Sequence, residues 1–465
     1  MVASRFALYA RTLRHIPPHQ IASRVRLRLL RSALKSQPER FERRWTLTEP
    51  STEVGWPTDF VPLDRRRFDS HVLAEEITGR HFTLLNRTEE VQDDWSPSDV
   101  PQLWRYHLHY WDWSWNLVNA VDEATASKAL EGLYSSWQSS TRYGRWDAWS
   151  PYVVALRLWT WCGIHGSLPP TSPLKAALVD EVRRHAGYLR ANLETDVGGN
   201  HLVKDLKALI GAGVFLDDDH LREWASGRLI DQVRVQVLSD GGHYERSPSY
   251  HGQVLGDLID VCELLRSAGF PPAGELLVAV EAMRVWLAAL IGPDGDVPVF
   301  NDGFALGDEL DVLGAGRASG VERLQWMAAS GYVVVRPRPD VQVVIDVGLP
   351  CPDELPAHAH ADCLSFELVV GDSRRFVDAG TSEYGATDRR AYERSTAAHN
   401  TVEVDGENQT EVWGAFRAAR RARPTVLEVD ESGDAVIVDV EHDGYAHLSG
   451  APIHRRRMTV RSESI

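Results

Sequence analysis

The sequence predicts an α+β protein with several domains, in which a helical part is followed by an antiparallel β-sandwich. Three observations support this prediction: the chain has 465 residues, apolar residues recur at helical spacing over much of it, and short β-branched runs replace them near residue 325. Domains usually hold about 100–200 residues, so one core is not expected. We therefore divide the chain into a lead-in with a basic helix (1–100), a helical domain (101–325) and a β-domain (326–465).

Helical spacing is clearest between Val121 and Ile291. Apolar residues repeat there in segments of roughly 15–22 residues that end at Gly, Pro or Asp-rich turns. Consecutive helices of similar length with short connections favour a stack of antiparallel hairpins. The predicted helices cover residues 122–139, 151–165, 172–194, 201–214, 218–238, 249–268 and 273–291.

β-Branched alternation follows Gly331. Short alternating runs separated by Asp-Gly and Gly-Asp turns predict the strands of an antiparallel sandwich. A last run begins at His454 without a later run to pair with, which indicates a short sandwich or a chain that continues past residue 465. The other predicted strands cover residues 332–336, 341–346, 364–370, 401–404, 425–429 and 435–440.

The composition argues against some classes of partner. The 66 acidic residues outnumber the 50 basic ones, and the net charge of −16 disfavours nucleic acid and anionic membranes as general partners. An anionic substrate stays open, because charges beyond roughly 8–10 Å are screened and a local basic cleft can act alone. The four cysteines are widely spaced, so reduced thiols are expected: Cys162, Cys262, Cys351 and Cys363.

The N-terminal segment is basic and amphipathic. Six arginines between Arg11 and Arg31 alternate with Leu, Ile and Val. Such a segment either docks on the body of the protein or touches a membrane surface. No apolar run reaches the roughly 18–20 residues of a transmembrane helix, and no signal peptide is visible, which by itself favours the cytoplasm.

The most informative motif is His358-Ala-His360-Ala-Asp362, which is followed by Asp378 in Phe-Val-Asp-Ala-Gly and His399 in Ala-Ala-His-Asn-Thr. In a strand, residues two apart point to one face, so we expect His358 and His360 to project toward one site. Imidazole and carboxylate are zinc ligands, and three of them leave one coordination position open. The motif therefore indicates a metal site, the alternative being two surface histidines beside a buried one.

Two motifs in the helical part carry polar groups. Asn200 and His201 follow a Gly-Gly turn at a predicted helix start, where an amide, an imidazole and backbone N–H groups suit a carboxylate or an oxyanion. A plain N-cap explains Asn200 equally well. The second motif, residues 240–251 (Asp-Gly-Gly-His-Tyr-Glu-Arg-Ser-Pro-Ser-Tyr-His), is dominated by titratable and aromatic residues. For any one of them taken alone, a structural role is the simpler interpretation.

Together, these motifs resemble the heparinase II/III-like polysaccharide lyases, which include alginate and heparinoid lyases, over roughly residues 100–450. The resemblance implies an incomplete (α/α) toroid followed by an antiparallel β-sandwich. The order of the motifs is specific for the family and not for a substrate. The Arg-rich N-terminal segment is similar to members associated with exopolysaccharide or O-antigen assembly, and members that act on polymers are commonly exported to the periplasm.

The resemblance implies that a uronic-acid-containing polysaccharide is cleaved by β-elimination. The proton at C5 is removed and the glycosidic oxygen at C4 leaves, which produces a 4,5-unsaturated sugar. Asn200, His201 and His358 match the family positions that neutralise the substrate carboxylate, a task for preorganised donors.

The family tyrosine that serves as base and acid corresponds to Tyr250. Tyrosine has an ordinary pKa of about 10, so positive charge or donors must favour its phenolate. We expect Arg246 and His251 to supply them on the substrate side. Tyr244, in the same motif, is the rival tyrosine.

The zinc ligands of the family correspond to His360, Asp378 and His399. The resemblance therefore implies a structural zinc in the β-sandwich, which fixes the chain beside His358 and thereby positions that residue at the substrate groove. Asp362 is a further ligand or a hydrogen-bond partner of His360.

Three other functions stay open at this point. An (α/α)-barrel glycoside hydrolase would pair Glu245 with Asp240 or Asp302. A zinc hydrolase would activate water on the ion. A non-catalytic polysaccharide-binding or assembly protein would keep the fold without the reaction.

Overall fold

The computed structural model describes residues 5–48, 54–68, 70–145, 147–317 and 322–464. The chain divides into two compact units that are each discontinuous in sequence. The first unit contains residues 1–18, 233–256 and 277–465, and the second contains residues 19–232 and 257–276.

The α-helices are labelled α1 to α15 in chain order. They are Arg5–Leu13, Pro18–Ser36, Pro38–Trp45, His71–Thr78, Gln102–Tyr110, Ser114–Ala120, Glu123–Ser140, Pro151–His165, Pro173–Asn192, Gly199–Phe215, Asp219–Gln236, Pro248–Ser267, Gly274–Leu290, Glu309–Val312 and Asp388–Glu393. Short 3₁₀ turns lie at Leu63–Arg67, Asp147–Trp149 and Thr396–Ala398. The division between the units falls within α11, α12 and α13, so each of these helices contributes to both.

The seven helices predicted between residues 122 and 291 are confirmed as α7 to α13, and every end lies within two residues of its predicted position. Local chemistry explains this agreement. The side chain of Asp122 caps α7 by accepting from Thr125 N–H, and α8, α9 and α12 each begin at a proline, whose ring suits the first helical turn.

Tryptophan fills the core of the second unit. Trp137 and Trp161 are fully buried, and the guanidinium of Arg157 lies 4.8 and 5.4 Å from the centres of these two rings. Arg157 also donates to the carbonyl of His109, and burial lowers the pKa of Arg157 to about 9. Aromatic faces and a carbonyl acceptor thus offset part of the cost of burying this cation.

The strands are labelled β1 to β12. They are His81–Leu84, Arg87–Glu90, Leu324–Met327, Tyr332–Arg338, Val341–Asp346, Phe366–Val370, Ser373–Phe376, Val412–Trp413, Arg417–Ala418, Pro424–Ser432, Ala435–His442 and His454–Arg461. They form a five-stranded antiparallel sheet in the order β3-β4-β5-β6-β7, a three-stranded antiparallel sheet β10-β11-β12 and two short hairpins, β1-β2 and β8-β9.

The two larger sheets share one core, and the predicted antiparallel sandwich is thereby confirmed. Alternate side chains of β4 and β5, among them Val333 and Val343, pack in the same buried cluster as Val436 and Val438 of β11 and Val460 of β12. A two-residue period that directs one face of each sheet toward the shared cluster produces this layer.

The strand prediction differs from the structure in several details. The run at His454 forms β12, which pairs with the preceding strand β11 along its whole length. Residues 401–404 form no strand and make only the isolated bridge between Val404 and Glu407. The side-chain amide of Asn400 bonds there to the carbonyls of Phe366 and Val377, where a strand would use backbone groups. The hairpin β1-β2 in the lead-in, the strands β3 and β7 and the hairpin β8-β9 were not predicted.

The basic N-terminal segment forms α1 and α2, and both dock. In the first unit, Arg11 pairs with Glu411 and the ring of Tyr9 packs edge-on against Trp413. In the second unit, Leu27 and Leu34 of α2 are buried. Within the described residues, no helix is long and apolar enough to cross a membrane.

Candidate active site and metal centre

His358 and His360 lie in an irregular segment between β5 and β6, and not in the predicted strand. Both rings nevertheless point to one group, the carboxylate of Asp302. His358 Nδ1 lies 2.9 Å from Asp302 Oδ2, and His360 Nε2 lies 2.8 Å from Asp302 Oδ1. The common direction of the two rings is therefore set by a bridging carboxylate and not by the pleat of a strand.

Asp302 is a buried anion with several partners. Its side chain is fully buried, and Arg390 donates to both of its oxygens, with 2.8 Å between Arg390 Nη2 and Asp302 Oδ2. Burial favours the neutral acid, but hydrogen bonds from His358 and His360 hold the pKa of Asp302 well below its usual range. Asp302 is therefore ionised at neutral pH and accepts hydrogen bonds only.

The preceding residue completes this turn. Asn301 has a positive φ of 58°, a conformation that Asn tolerates better than most residues. Its side-chain oxygen accepts from the backbone N–H of His360, and its amide donates to the carbonyl of Arg246. The turn is thus tied to the segment that carries the two histidines.

Tyr250 lies in the first turn of α12 and contacts His358. The two ring centres are 3.9 Å apart and the planes are tilted by 35°. The hydroxyl of Tyr250 lies 2.8 Å from the hydroxyl of Tyr384, and burial raises the pKa of Tyr384 well above its ordinary value. Tyr384 therefore keeps its proton at neutral pH and is able to donate it in this hydrogen bond.

A second carboxylate faces His358. Glu245 Oε2 lies 3.5 Å from His358 Nε2, and Glu245 is buried. The two ring nitrogens of His358 are thus directed at Asp302 on one side and at Glu245 on the other.

Three groups are arranged to hold a metal ion. Ligand atoms of His360, Asp378 and His399 all lie within 4.8 Å of one another, and the three residues are buried. His360 Nδ1 and His399 Nε2 have no hydrogen-bond partner among the described residues. The other nitrogen of each ring is oriented by a carboxylate: Asp302 for His360, and Asp378 at 2.8 Å for His399. Two buried imidazole nitrogens without partners beside a carboxylate fit a zinc ion.

Asp362 lies close to this centre. It is fully buried, and burial raises its pKa to about 6. A hydrogen bond from His360 is one role that the sequence indicates for Asp362. His360 Nε2 bonds to Asp302 instead.

The three predicted substrate-side residues have different surroundings. His251 is fully buried, accepts from the backbone N–H of His243 and lies 2.9 Å from the carbonyl of Met283. Burial lowers the pKa of His251 to about 3, so it is neutral and does not supply the expected positive charge to Tyr250. Arg246 donates to the carbonyl of Ser330.

Tyr244 is half-buried. Its ring packs edge-on against His243 with 5.2 Å between ring centres, and its backbone N–H donates to the carbonyl of Gln236. The ring of Tyr250, the other candidate tyrosine, contacts His358.

Asn200 and His201 lie in the second unit, in the first turn of α10. Gly198 and Gly199 precede them with φ values of 78° and 58°, in the left-handed region that favours glycine. Asn200 is buried, and His201 Nδ1 lies 3.1 Å from Glu194 Oε2. The role of these two residues toward a substrate stays a prediction.

Sequence reasoning missed two members of the site. Tyr384 and Arg390 were not candidates, and Asp302 was considered only as a carboxylate of a hydrolase. The contacts of Tyr384 with Tyr250 and of Arg390 with Asp302 join residues 134 and 88 positions apart. No local pattern marks such pairs, because the partners meet only in the folded chain.

Two family models match the chain. The heparinase II/III N-terminus model covers residues 63–310, and the heparinase II/III-like, C-terminal model covers residues 320–465. Among curated proteins, FtsZ-localized protein C of Caulobacter vibrioides is 28% identical over 417 residues, which are 85% of this chain and 70% of that protein. A heparin-sulfate lyase of Bacteroides thetaiotaomicron is 22% identical over 86% of this chain. The chain spans 63% of the length of that lyase.

Solved structures share the fold. A crystal structure of heparinase III superposes with a TM-score of 0.72 at 17% identity and covers 93% of this chain and 75% of its own. The heparan sulfate lyase of Pedobacter heparinus superposes with a TM-score of 0.57 at 19% identity, covering 93% of this chain and 72% of its own. The predicted order of a helical toroid domain and an antiparallel sandwich is confirmed. Because the N-terminal model alone covers more than half of the sequence, the chain belongs to the heparinase II/III-like family.

Proposed function

We propose that the protein is a polysaccharide lyase that cleaves a uronic-acid-containing polysaccharide by β-elimination. The observation that supports this most is the contact of Tyr250 with His358 at 3.9 Å between ring centres, with the hydroxyl of Tyr384 2.8 Å from that of Tyr250. A phenol with its own donor beside an oriented imidazole suits proton transfer to and from carbon and oxygen.

In the proposed reaction, the phenolate oxygen of Tyr250 removes the proton from C5 of the uronate. The electron pair of that C–H bond forms the double bond between C4 and C5, and the bond from C4 to the glycosidic oxygen breaks. The leaving oxygen takes the proton back from Tyr250. Tyr384 stabilises the phenolate by donating to it, and His358, oriented through Asp302, binds the substrate carboxylate. Asn200 and His201 are the predicted further donors to that carboxylate.

The proposed metal is a structural zinc held by His360, Asp378 and His399. When bound, the ion would cross-link three irregular segments of the first unit. A fixed His360 also fixes the neighbouring His358, since both rings share Asp302.

A two-carboxylate hydrolase fits the structure less well. A hydrolase needs one carboxylic acid with a raised pKa and room for substrate between the pair. Asp302 is instead an anion paired with Arg390, and both oxygens of Asp240 accept hydrogen bonds, from Gly242 N–H and from Ser330.

The test is a cleavage assay on a panel of heparan sulfate, heparin, hyaluronan, alginate and bacterial exopolysaccharides. Heparan-type polymers come first because relatives are named heparin-sulfate lyases. We expect ultraviolet absorbance from the conjugated unsaturated uronate. New reducing ends without that absorbance would refute the lyase proposal in favour of hydrolysis.

Two matched variants identify the tyrosine. Tyr250→Phe removes one oxygen and should lower kcat by at least about 100-fold, because it removes the proton-transfer group. Tyr244→Phe, the same change six residues away, should leave kcat within about threefold. The reverse result would show that Tyr244 is the acid and base.

A non-catalytic role in polysaccharide binding or assembly is the second candidate. It stays a candidate because FtsZ-localized protein C, 28% identical to this chain, is named for its localisation and not for a lyase activity. Binding to a polymer of the panel without any cleavage, by the zinc-loaded protein, would select this function.

A further inference from the structure

We propose that Asp302 is a positioning residue that joins the metal centre to His358 by fixing hydrogen on Nδ1 of His358 and on Nε2 of His360. The part that concerns catalysis rests on the proposed lyase function, whereas the part that concerns the metal does not. Nothing in the sequence pattern assigns this role, since Asp302 stands 56 positions before His358 and 58 before His360.

The tautomers follow from the contacts of Asp302, whose two oxygens both accept from Arg390 and thus form a carboxylate pair with it. An ionised carboxylate only accepts, so the nitrogen that faces it must carry the hydrogen. His358 faces it with Nδ1 and His360 with Nε2. His360 therefore presents a bare Nδ1 lone pair, and this is the nitrogen without a hydrogen-bond partner in the group suited to a metal. His358, by the same reasoning, carries hydrogen on Nδ1, and its Nε2 faces Glu245 Oε2 at 3.5 Å.

Backbone hydrogen bonds also join the segment that carries the two histidines to the turn that contains Asp302. The backbone N–H of Asp302 donates to the carbonyl of His358 at 3.3 Å, and the backbone N–H of His360 donates to Asn301 Oδ1 at 3.1 Å. With the two ring contacts, four hydrogen bonds join the turn to the histidine segment. Arg390 neutralises the shared carboxylate, which lets an anion persist in a fully buried position.

The wild-type protein provides the first test. Ring ¹⁵N shifts of zinc-loaded protein should show hydrogen on Nδ1 of His358 and on Nε2 of His360. The opposite tautomer at either histidine would overturn the proposal, and this measurement needs neither a variant nor an active enzyme.

Asp302→Asn is the second test. An amide presents one acceptor and one donor, so it cannot accept from both rings. We expect zinc affinity, measured by competition with a chromogenic chelator, to fall about 10–100-fold, and the His358 tautomer to change. Asp302→Glu should restore the tautomer in part. If the lyase proposal also holds, kcat of Asp302→Asn falls more than KM rises.

Asp296→Asn is the matched control. Asp296 lies on the same loop and accepts from the backbone N–H groups of Leu306 and Gly307, but it contacts neither histidine. Its zinc affinity should stay within about twofold of wild type. Equal losses in Asp302→Asn and Asp296→Asn would overturn the proposal, because loop stability would then explain both. If no polymer is cleaved but the tautomer and zinc results hold, only the lyase proposal fails.

A separate observation concerns α2, which docks by one face and exposes another. Ile21, Val25 and Leu29 are four residues apart and therefore share one face, and they are 39%, 55% and 67% exposed. Exposed basic side chains flank this stripe, and the helix contains no acidic residue: Arg24, Arg26, Arg28 and Lys35.

From this pattern we infer that the exposed face of α2 binds an anionic lipid surface. Its positive charge contrasts with the net charge of −16 of the chain, and an apolar stripe between basic flanks is the arrangement of a helix that lies in a membrane interface. An anionic polysaccharide would use the basic flanks but gain nothing from exposed Val25 and Leu29.

Vesicle co-sedimentation tests this inference. The protein should bind vesicles of phosphatidylcholine with phosphatidylglycerol, weakly at high salt, and should not bind pure phosphatidylcholine. Val25→Asn with Leu29→Asn should weaken binding at least tenfold. Val285→Asn on α13, an equally exposed valine at 57%, should not change it. No binding to anionic vesicles, or binding that the double substitution leaves unchanged, would refute the inference.

Discussion

At the scale of single residues, the chemistry of the site depends on which hydrogen-bond donors and acceptors face each other. Tyr250 and Tyr384 present two hydroxyls 2.8 Å apart, and burial keeps the proton on Tyr384. A cation would stabilise the phenolate of Tyr250 more than a neutral donor does. His251, the next residue in the sequence, is not that cation, because it is neutral and bonded to backbone groups. The hydroxyl of Tyr250 is therefore paired with a residue far away in the chain.

Removing this donor tests its importance. Tyr384→Phe should lower kcat about tenfold, because one hydrogen bond contributes roughly 0.5–1.5 kcal/mol. Activity should also appear at a higher pH than in wild type, because the phenolate of Tyr250 loses a donor that stabilises it. The measurement is kcat and kcat/KM against pH on the polymer that the panel identifies. An unchanged pH profile would show that Tyr384 does not act on Tyr250.

The metal ligands are testable at the same scale. His360→Ala should lose most of the bound zinc, and the free energy of unfolding should fall by more than about 2 kcal/mol, since a ligand and its contacts are removed. Metal analysis and thermal unfolding measure the two effects. His447→Ala, a histidine outside the group suited to a metal, is the control and should keep its zinc.

At the scale of elements, close approach of helices constrains the sequence. A Cβ built on Gly187 of α9 would lie 1.9 Å from the carbonyl oxygen of Trp45, at the end of α3. Backbone cannot give way as a flexible side chain does, so only glycine fits there. The Cβ of Gly227 in α11 would meet no atom within 4 Å.

These two glycines form a matched pair. Gly187→Ala should destabilise the protein by about 1–3 kcal/mol through overpacking. Gly227→Ala should be neutral or stabilise by up to about 1 kcal/mol, because alanine favours helix. Chemical denaturation of both variants measures the difference, and equal stabilities would contradict the α3 to α9 contact.

At the scale of the whole molecule, buried neutral histidines couple stability to pH. Burial lowers the pKa of His109 to about 3, that of His185 to about 4 and that of His442 to about 3. Between these values and an ordinary pKa of about 6.5, the unfolded chain binds more protons than the folded one. Stability from these groups is therefore complete above about pH 6.5 and is lost as the pH falls toward 4.

The expected loss in the free energy of unfolding at low pH follows from the same linkage between proton binding and stability. At pH 5, each such histidine reduces the free energy of unfolding by roughly 2 kcal/mol relative to neutral pH. Denaturation at pH 7.5 and pH 5 measures the loss. His442→Asn retains an acceptor for the N–H of Gly444. The variant should lose less free energy of unfolding between pH 7.5 and pH 5 than wild type, by the contribution of one histidine. A pH-independent free energy of unfolding would contradict this account.

The sequence by itself determined the order of the helical part and the sandwich and the ends of the seven helices α7 to α13. Both depend on local chemistry: the period of apolar residues, the caps and the prolines act within a few residues of where they are read. The grouping of His360, Asp378 and His399 was also predictable, although as an expectation from the family resemblance.

Only the tertiary structure decided how the site is held together. Asp302 receives two histidines and an arginine, and Tyr250 meets Tyr384, through contacts that span 56 to 134 positions. The predicted strand at His358 was wrong for the same reason, because a bridging carboxylate orients both rings without a pleat. Local sequence patterns do not predict which distant side chain a buried nitrogen faces, because that contact depends on the packing around Asp302 in the folded chain.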